Sequence, residues 1–254
     1  MIVFSYDKSL DGLLCVIYEA YERKICPELL IQSGEILPLF VDQLLEIQTR
    51  DEIVSKTWAY LEKKMSKESL NMMQAVWLSE QDDRDWLLYK FIKKAIDTKF
   101  TGHTDFGDDD IINIHNLAKK VYKEGYNWKQ FVRFKKSKDG IYFAPVYPIY
   151  NSLPLAIPHF KDRFSSQSWI IYDLNRNYGF YYDGKVVIEM TLESDNEYFN
   201  SEQPNEKLLD SKEILFQESW KKYFQALSIK ERINLNLQKQ HMPKRYWKYL
   251  TEMQ

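Results

Sequence analysis

His159 and Arg163 stand four residues apart, a spacing that places both on one face of a helix. Such a face can grip a phosphate, because the guanidinium of arginine donates two parallel hydrogen bonds. Asp173 and Arg176 follow, and a cleft that joined these four residues would make His159 and Asp173 the catalytic candidates. The alternative is structural: the helix docks through its phenylalanines, and Arg163 forms an ion pair with an acid such as Asp173.

Three basic residues, Arg133, Lys135 and Lys136, fall in a predicted β-hairpin whose turn ends at Asp139 and Gly140. Cations at such a place neutralise phosphates and release counterions from nucleic acid. Lysines near a hairpin tip also keep an exposed strand edge soluble. Both interpretations of this segment stay open.

The C-terminal stretch His241–Tyr249 mixes cations with large aromatic rings. Lys244 and Arg245 can follow a phosphate backbone while an exposed ring such as Tyr246 stacks on unpaired bases. The alternative is that Tyr246 and Trp247 pack the tail onto the core and leave the cations in water. The two cations are therefore the better binding candidates.

No known catalytic or cofactor-binding signature occurs, and we expect no cofactor. A metal ion could still be held by His103, Asp105 and Asp108–Asp110 if these came together in space. This acidic run is better explained as the cap of a helix, so we expect no metal. The two cysteines, Cys15 and Cys26, cannot form a metal site by themselves and are expected to be reduced thiols.

The net charge of −2 conceals an alternation along the chain. Residues 119–190 carry 12 basic and 6 acidic side chains, and residues 219–254 carry 8 and 2, whereas residues 1–118 and 191–218 are acidic. Two basic blocks could converge on one face and bind a polyanion, since binding requires a local positive field and not a positive total. The alternative is that the charges average out in space.

The hydrophobic pattern predicts one α+β domain over residues 1–254. Helical periodicity extends over about residues 9–124, with Ser9 as a plausible N-cap, and again over about 211–250, with Trp220 on the inner stripe. Between these lies a mostly antiparallel sheet, with short turns, in residues 130–190, on which the helical half packs. Its predicted strands are Gln130–Phe134, Ile141–Tyr147, Trp169–Asp173, Gly179–Tyr182 and Val186–Met190, with Ile2–Tyr6 as a candidate further strand.

No apolar run reaches the ~20 residues that a membrane span needs, and the first residues do not form a secretory signal. We therefore expect a cytoplasmic protein without a membrane partner.

Several segments together resemble one bacterial family, and they extend over nearly the whole chain. The residues that carry the resemblance are Phe4-Ser5-Tyr6-Asp7, Asp11-Gly12-Leu13-Leu14, Glu19-Ala20-Tyr21-Glu22, Phe131-Val132-Arg133-Phe134, Leu153-Pro154-Leu155, Pro158-His159-Phe160, Arg163-Phe164, Trp169-Ile170-Ile171-Tyr172-Asp173, Arg176, Tyr178-Gly179, Tyr181-Tyr182-Asp183, Arg232-Ile233-Asn234, Leu237-Gln238 and Met242-Pro243-Lys244-Arg245-Tyr246-Trp247. This family is known mainly as a domain of unknown function and is associated with DNA metabolism and DNA repair.

The resemblance implies a role beside a radical-SAM DNA-repair protein, and related domains are fused to a uracil-DNA-glycosylase-like domain. It supplies no catalytic residues. The sequence departs from the family pattern at Tyr126–Lys129, where a His-Arg pair is expected, and at Tyr150-Asn151, where an acidic or histidine residue is usual. A site formed by those positions would be altered in this chain.

Three functions remain open at this stage. The first is an accessory protein that binds single-stranded or damaged DNA and acts with a radical-SAM partner. The second is a DNA-processing enzyme of nuclease or glycosylase type that uses His159 and Asp173. The third is a protein-interaction adaptor without DNA contact. For the first, the binding residues are expected to be Arg133, Lys135, Lys136, Arg163, Arg176, Lys244, Arg245 and Tyr246.

Overall fold

A computed structural model describes residues 1–98, 107–192, 208–229 and 232–254. The chain divides into two compact units, Met1–Tyr122 and Lys123–Gln254. The expected α+β class is confirmed, because each unit combines a sheet with helices.

Unit 1 contains a parallel sheet in the order β2-β1-β3, formed by β1 (Ile2–Tyr6), β2 (Leu29–Gln32) and β3 (Gln43–Glu46). The expectation that Ile2–Tyr6 joins the sheet of residues 130–190 is therefore wrong. β1 is the central strand of its own sheet, and Val3–Tyr6 are all buried. A strand covered on both faces is typical of parallel sheets.

Five helices accompany this sheet in the described residues up to Phe131: α1 (Leu10–Arg23), α2 (Asp51–Lys64), α3 (Lys67–Trp77), α4 (Arg84–Asp97) and α5 (Asp109–Phe131), the last of which crosses the unit boundary. The Ser9 side chain accepts a hydrogen bond from the N–H of Gly12, which confirms the predicted N-cap of α1. Asp108 accepts from the N–H groups of Asp110 and Ile111 and caps α5, as expected of the acidic run.

Unit 2 contains a five-stranded sheet in chain order: β4 (Lys135–Lys136), β5 (Tyr142–Val146), β6 (Trp169–Asp173), β7 (Tyr178–Tyr182) and β8 (Val187–Met190). Three of its four pairings are antiparallel, so the expected mostly antiparallel sheet is confirmed. β5 and β6 pair in parallel. Their connection includes a 3-10 turn, Leu153–Leu155, and α6 (Ile157–Arg163), which gives the length that a parallel crossover requires.

The predicted strand Gln130–Phe134 is wrong, because α5 continues to Phe131 and β4 is only two residues long. Trp128, Phe131 and Val132 recur at helical spacing and are all buried. Burial of this stripe extends the helix past the point where β-propensity alone suggested a strand.

The C-terminal part of unit 2 consists of α7 (Glu213–Leu227), α8 (Leu235–His241) and two 3-10 segments, Lys244–Tyr249 and Thr251–Met253. Within unit 2, Tyr246 and Leu250 are fully buried in the same cluster as Trp128 and Trp169. The tail is thus part of the core. No helix in the described part of the chain is long and apolar enough to cross a membrane.

α7 leaves much of its apolar surface uncovered. Trp220, predicted on the inner stripe, donates its indole N–H to Glu252 at 2.9 Å but remains 42% exposed. Phe216, Tyr223 and Leu227 are 56–64% exposed. With Trp220 these residues recur at i, i+4, i+7 and i+11, so they form one stripe along the helix. We call Phe216, Trp220, Tyr223 and Leu227 the α7 stripe.

Candidate nucleic-acid interface

Glu124 is an acidic residue buried inside unit 2. It lies on the apolar stripe of α5, seven residues after Leu117 and four before Trp128, and is only 1% exposed. Its carboxylate accepts hydrogen bonds from the N–H groups of Ile149 and Tyr150, at 3.1 and 2.8 Å. Ser152 Oγ donates to it at 3.1 Å, and Arg245 pairs with it at 2.9 Å. A buried charge needs such partners, and these contacts fix the segment that follows β5.

Asp173, at the end of β6, is the second buried acid and is wholly inaccessible. It accepts from the N–H groups of Asn175 and Arg176 at 2.8 and 3.2 Å and pairs with the Arg176 guanidinium at 2.9 Å. The same guanidinium donates to the carbonyls of Pro148 and Ile149 at 3.3 and 3.0 Å. Burial raises the pKa of Asp173, while Arg176 and the two backbone N–H groups oppose that shift.

The segment Tyr147–Ser152, which we call the display loop, is therefore held by both buried acid–arginine pairs. The Tyr178 hydroxyl also donates to the Asn151 side chain. β5 and β6 are parallel, so the display loop and the Asp173–Arg176 turn lie at the same edge of the sheet. The carboxyl ends of β5 and β6 therefore bring the two anchored segments together. This edge is the candidate site.

Two side chains of the display loop point into solvent: Tyr147 is 48% exposed and Ile149 is 58% exposed. The ammonium of Lys248 lies 5.3 Å from the centre of the Tyr147 ring. Lys244 is exposed on the same 3-10 segment, and the Arg245 side chain is 38% exposed beside Glu124. We call these five residues the cation–aromatic surface. An exposed ring with adjacent cations offers a stacking face and countercharge for phosphates.

Tyr246 offers no such face. It is 0% exposed, and its ring lies 4.9 Å from that of Trp128 and 5.0 Å from that of Phe131. Its hydroxyl receives hydrogen bonds from Asn127 at 3.2 Å and Arg245 at 2.7 Å. The structural alternative, in which the aromatic tail packs on the core, therefore describes Tyr246.

Other expected binding residues have structural partners. Arg133 pairs with Glu252 at 2.7 Å and donates to the carbonyl of Gln130. Lys135 is buried. Lys136 lies 3.7 Å from Asp210 and is 40% exposed at its side chain. Arg163 is exposed at the end of α6, and its guanidinium lies 5.8 Å from the Phe164 ring.

His159 lies on the exposed surface of α6, and its ring contacts the neighbouring Phe160. A cleft that joined His159 to an unpaired Asp173 would have favoured the enzyme hypothesis, but Asp173 forms an ion pair with Arg176. The suggested ion pair of Asp173 with Arg163 is likewise replaced by the pair with Arg176. His159 and Asp173 thus gain no support as a catalytic pair.

The suggested metal ligands His103 and Asp105 lie outside the described residues. Asp108 caps α5 and pairs with Lys94 at 2.5 Å. Within the ranges that the structure describes, no group of three or more His, Cys, Asp or Glu side chains is arranged to hold a metal ion. Cys15 is buried and Cys26 is exposed, and both are free thiols.

The charges of unit 2 are distributed unevenly between its interior and its surface. Its described residues include 18 basic and 10 acidic side chains. Three of the ten acids, Glu124, Asp173 and Glu213, are buried, against one of the 18 bases, Lys135. The described surface of unit 2 is therefore more basic than its sequence.

Sequence reasoning missed Glu124, Tyr147 and Lys248. Glu124 could have been found, since it interrupts an otherwise apolar helical stripe, where an acid needs an internal partner. Tyr147 and Lys248 are separated by about a hundred residues, and no spacing rule connects them. Asn127, Tyr150 and Asn151, where the sequence departs from the family pattern, do contact this site.

A family model described as a domain of unknown function, DUF4130, matches residues 82–252. No curated protein and no solved structure matches the chain.

Proposed function

The chain belongs to the domain-of-unknown-function family DUF4130, and from this premise we propose that its unit 2 binds single-stranded nucleic acid as an accessory in DNA metabolism. The observation that carries the proposal is the cation–aromatic surface, in which the exposed Tyr147 of the anchored display loop lies beside Lys248 of the 3-10 segment that also carries Lys244 and Arg245. The resemblance to DNA-metabolism proteins supports the same class of ligand.

Single strands are favoured over duplex because the contact involves a ring. An unpaired base can stack on Tyr147, whereas a base inside a duplex has no free face. Lys244, Arg245 and Lys248 would neutralise nearby phosphates, and each neutralised phosphate releases counterions. Hydrogen bonds to Glu124 and from Arg176 hold the backbone of the display loop before the ligand arrives, which lowers the entropic cost of binding.

The test is a fluorescence anisotropy titration of full-length protein with a labelled single strand, a duplex and a uracil-containing strand. Tyr147→Ala should weaken single-strand binding by about 1–3 kcal/mol, the contribution of one stacked base. Lys244→Ala should weaken it without affecting the fold, because Lys244 is exposed. The matched control is Lys185→Ala, an exposed lysine in the turn between β7 and β8.

Arg245→Ala is not a clean probe of binding, because it would leave Glu124 buried without its cation. Equal binding by wild type and Tyr147→Ala would refute stacking at this surface. Absence of any binding at low salt would refute the proposal itself.

A second candidate function is protein docking, and the α7 stripe favours it. Its four large side chains follow the spacing that an amphipathic partner helix recognises. The radical-SAM partner implied by the resemblance is the partner to test, by co-purification after co-expression. Phe216→Asp and Leu227→Asp should abolish co-purification, whereas Gln225→Asp, on the opposite face of α7, should not. If all three variants retain the partner, α7 is not the docking element.

A further inference from the structure

The sheet of unit 1 has one edge that the chain closes by itself. Along β2, the ammonium of Lys8 donates a hydrogen bond to the carbonyl of Leu30 at 3.2 Å. The N–H of Gln32 donates to the Glu35 carboxylate at 2.9 Å, and the N–H of Glu35 donates to the carbonyl of Gln32 at 3.0 Å. Unpaired backbone groups of an edge strand invite pairing with another chain, and these three bonds occupy such groups of β2.

The β3 edge, on the other side of the sheet, is open. Within the described residues β3 pairs with β1 alone. Ile47, one residue past β3, donates its N–H to the carbonyl of Ser5 in β1 at 2.8 Å. The backbone groups of successive residues point to opposite edges of a strand, so those of Leu45 face β1 like those of Ile47, and those of Leu44 and Glu46 face away. These outward N–H and carbonyl groups have no hydrogen-bond partner in the part of the chain that the structure describes.

The segment that leads into β3 exposes apolar side chains. Leu39 is 93% exposed and Phe40 is 84% exposed, and Leu44 of β3 itself is 36% exposed. The segment is fixed at the start of β3, because the N–H of Asp42 donates to the carbonyl of Met1 at 3.0 Å. Exposed apolar side chains next to an open strand edge are typical of a surface that binds another chain.

The charge around this edge selects its ligand. Residues 25–49 contain four acids, Glu28, Glu35, Asp42 and Glu46, and no lysine, arginine or histidine. Asp42 pairs with the N-terminal ammonium, whereas Glu46 is exposed at the end of β3 and forms no ion pair with any described residue. Opposite charges attract and like charges repel across an interface. The edge therefore favours a chain that carries cations over nucleic acid, an anionic membrane or a second copy of itself.

We propose that the β3 edge binds an extended, basic segment of another protein, which adds to the sheet as an antiparallel strand. The residues opposite Leu44 and Glu46 exchange backbone hydrogen bonds with them. Those two residues project their side chains to one face of the added strand, where a cation meets Glu46. This surface belongs to unit 1, and it is separate from nucleic-acid binding by unit 2 and from the α7 stripe.

The probe is a fluorescein-labelled hexapeptide of alternating lysine and valine, and its binding to the full-length protein is measured by fluorescence anisotropy. Its lysines lie on the face that meets Glu46, so their N–H groups are those that bond to β3. Methylation of the lysine backbone nitrogens should weaken binding by about fivefold for each hydrogen bond lost, whereas methylation of the valine backbone nitrogens should leave the affinity unchanged. A hexapeptide of alternating glutamate and valine should bind more weakly than the lysine–valine peptide.

Two variants locate the site on the protein. Leu44→Pro should weaken binding by at least about fivefold, because it removes one outward N–H, and proline is tolerated where the N–H of an edge strand faces solvent. Circular dichroism checks that this variant folds. Glu46→Gln should weaken binding of the lysine–valine peptide by about twofold to fivefold, the effect of one exposed ion pair, while the matched Glu35→Gln at the β2 edge should not.

Absence of binding by the unmethylated peptide, equal affinities of the two methylated peptides, or an equally strong glutamate–valine peptide would each overturn the proposal. Self-association of the wild type in sedimentation velocity that Leu44→Pro abolishes would do the same, since a second copy would then occupy the edge. If Leu44→Pro does not fold, the comparison of the two methylated peptides still decides.

Discussion

At the scale of single residues, unit 2 is organised around acids that lie inside the protein. Glu124 accepts hydrogen bonds from two backbone N–H groups and a serine hydroxyl and forms an ion pair with Arg245. A charge in this position is stable only while all its partners remain.

Glu124→Ala should therefore lower the free energy of unfolding by about 1–3 kcal/mol for each of the two backbone N–H groups, of Ile149 and Tyr150, that it leaves without an acceptor. This change in the free energy of unfolding is measured by urea denaturation followed by circular dichroism. Glu218→Ala, an exposed acid on α7, is the control and should change stability by less than about 0.5 kcal/mol. A similarly small change in Glu124→Ala would show that its contacts contribute little.

The ionisation of Glu252 makes the stability of the protein depend on pH. Burial acts to raise the pKa of Glu252, but hydrogen bonds from Arg133 and Trp220 outweigh it and hold the pKa below its usual value. A lowered folded pKa stabilises the protein above the unfolded value and loses that stabilisation as pH falls through the folded value.

The urea midpoint of wild type should thus fall between about pH 5 and pH 3 more steeply than that of Glu252→Gln, which cannot ionise. Parallel pH profiles for the two proteins would contradict this role. The experiment also separates the structural contact of Arg133 from a role in nucleic-acid binding, since it needs no ligand.

At the scale of elements, the central strands of unit 2 pack so closely that one position requires glycine. A Cβ on Gly179 of β7 would collide with the carbonyl of Ile171 and stand 2.9 Å from the Cα of Tyr172, both in the neighbouring strand β6. Backbone atoms of a buried strand cannot move aside as a flexible side chain can. Gly179→Ala should cost about 1–3 kcal/mol in urea denaturation, the usual range for overpacking. Wild-type stability in this variant would mean that β6 and β7 separate easily.

The elements were also the part that the sequence predicted best. Trp169–Asp173 was predicted with both ends correct, because turn residues bound a short run of β-branched and aromatic side chains on each side. β1 was predicted as a strand, but its neighbours β2 and β3 were not, since each has only four residues and no alternation. Pairing partners depend on tertiary packing, which local propensity does not encode.

The same limit applies to the candidate site. Lys244 and Arg245 were predicted as surface cations, and both are exposed, but the contact of Arg245 with Glu124 was not foreseen. Tyr246 and Trp247 look equivalent in sequence, yet only Tyr246 is fully buried. The packing of the tail against α5 decides which of the two adjacent rings faces the core. The spacing of residues in the sequence does not show this packing.

At the scale of the whole molecule, charge divides between the units. Unit 1 carries 15 basic and 21 acidic side chains, and unit 2 carries 20 basic and 16 acidic. The net charge of −2 is therefore a poor guide to what either unit attracts.

This distribution predicts how the proposed binding depends on salt. A plot of log affinity against log salt concentration should be linear. Its slope should be about −0.7 for each phosphate of the single strand that a cation neutralises. Lys244→Ala should flatten that slope by about 0.7, while Tyr147→Ala should lower affinity and leave the slope unchanged, because stacking releases few ions. Anisotropy titrations at several salt concentrations measure both. A salt-independent affinity would exclude phosphate contacts.

The display loop is held through its own backbone. Glu124 accepts hydrogen bonds from the N–H groups of Ile149 and Tyr150, and Arg176 donates hydrogen bonds to the carbonyls of Pro148 and Ile149. None of these bonds uses the side chain at position 147 or 149. Both positions can therefore be changed without loss of the scaffold, which makes them suited to randomised libraries or to a fluorescent label. Selection can therefore change the side chains that this loop exposes one at a time, while the hydrogen bonds that hold its backbone stay the same.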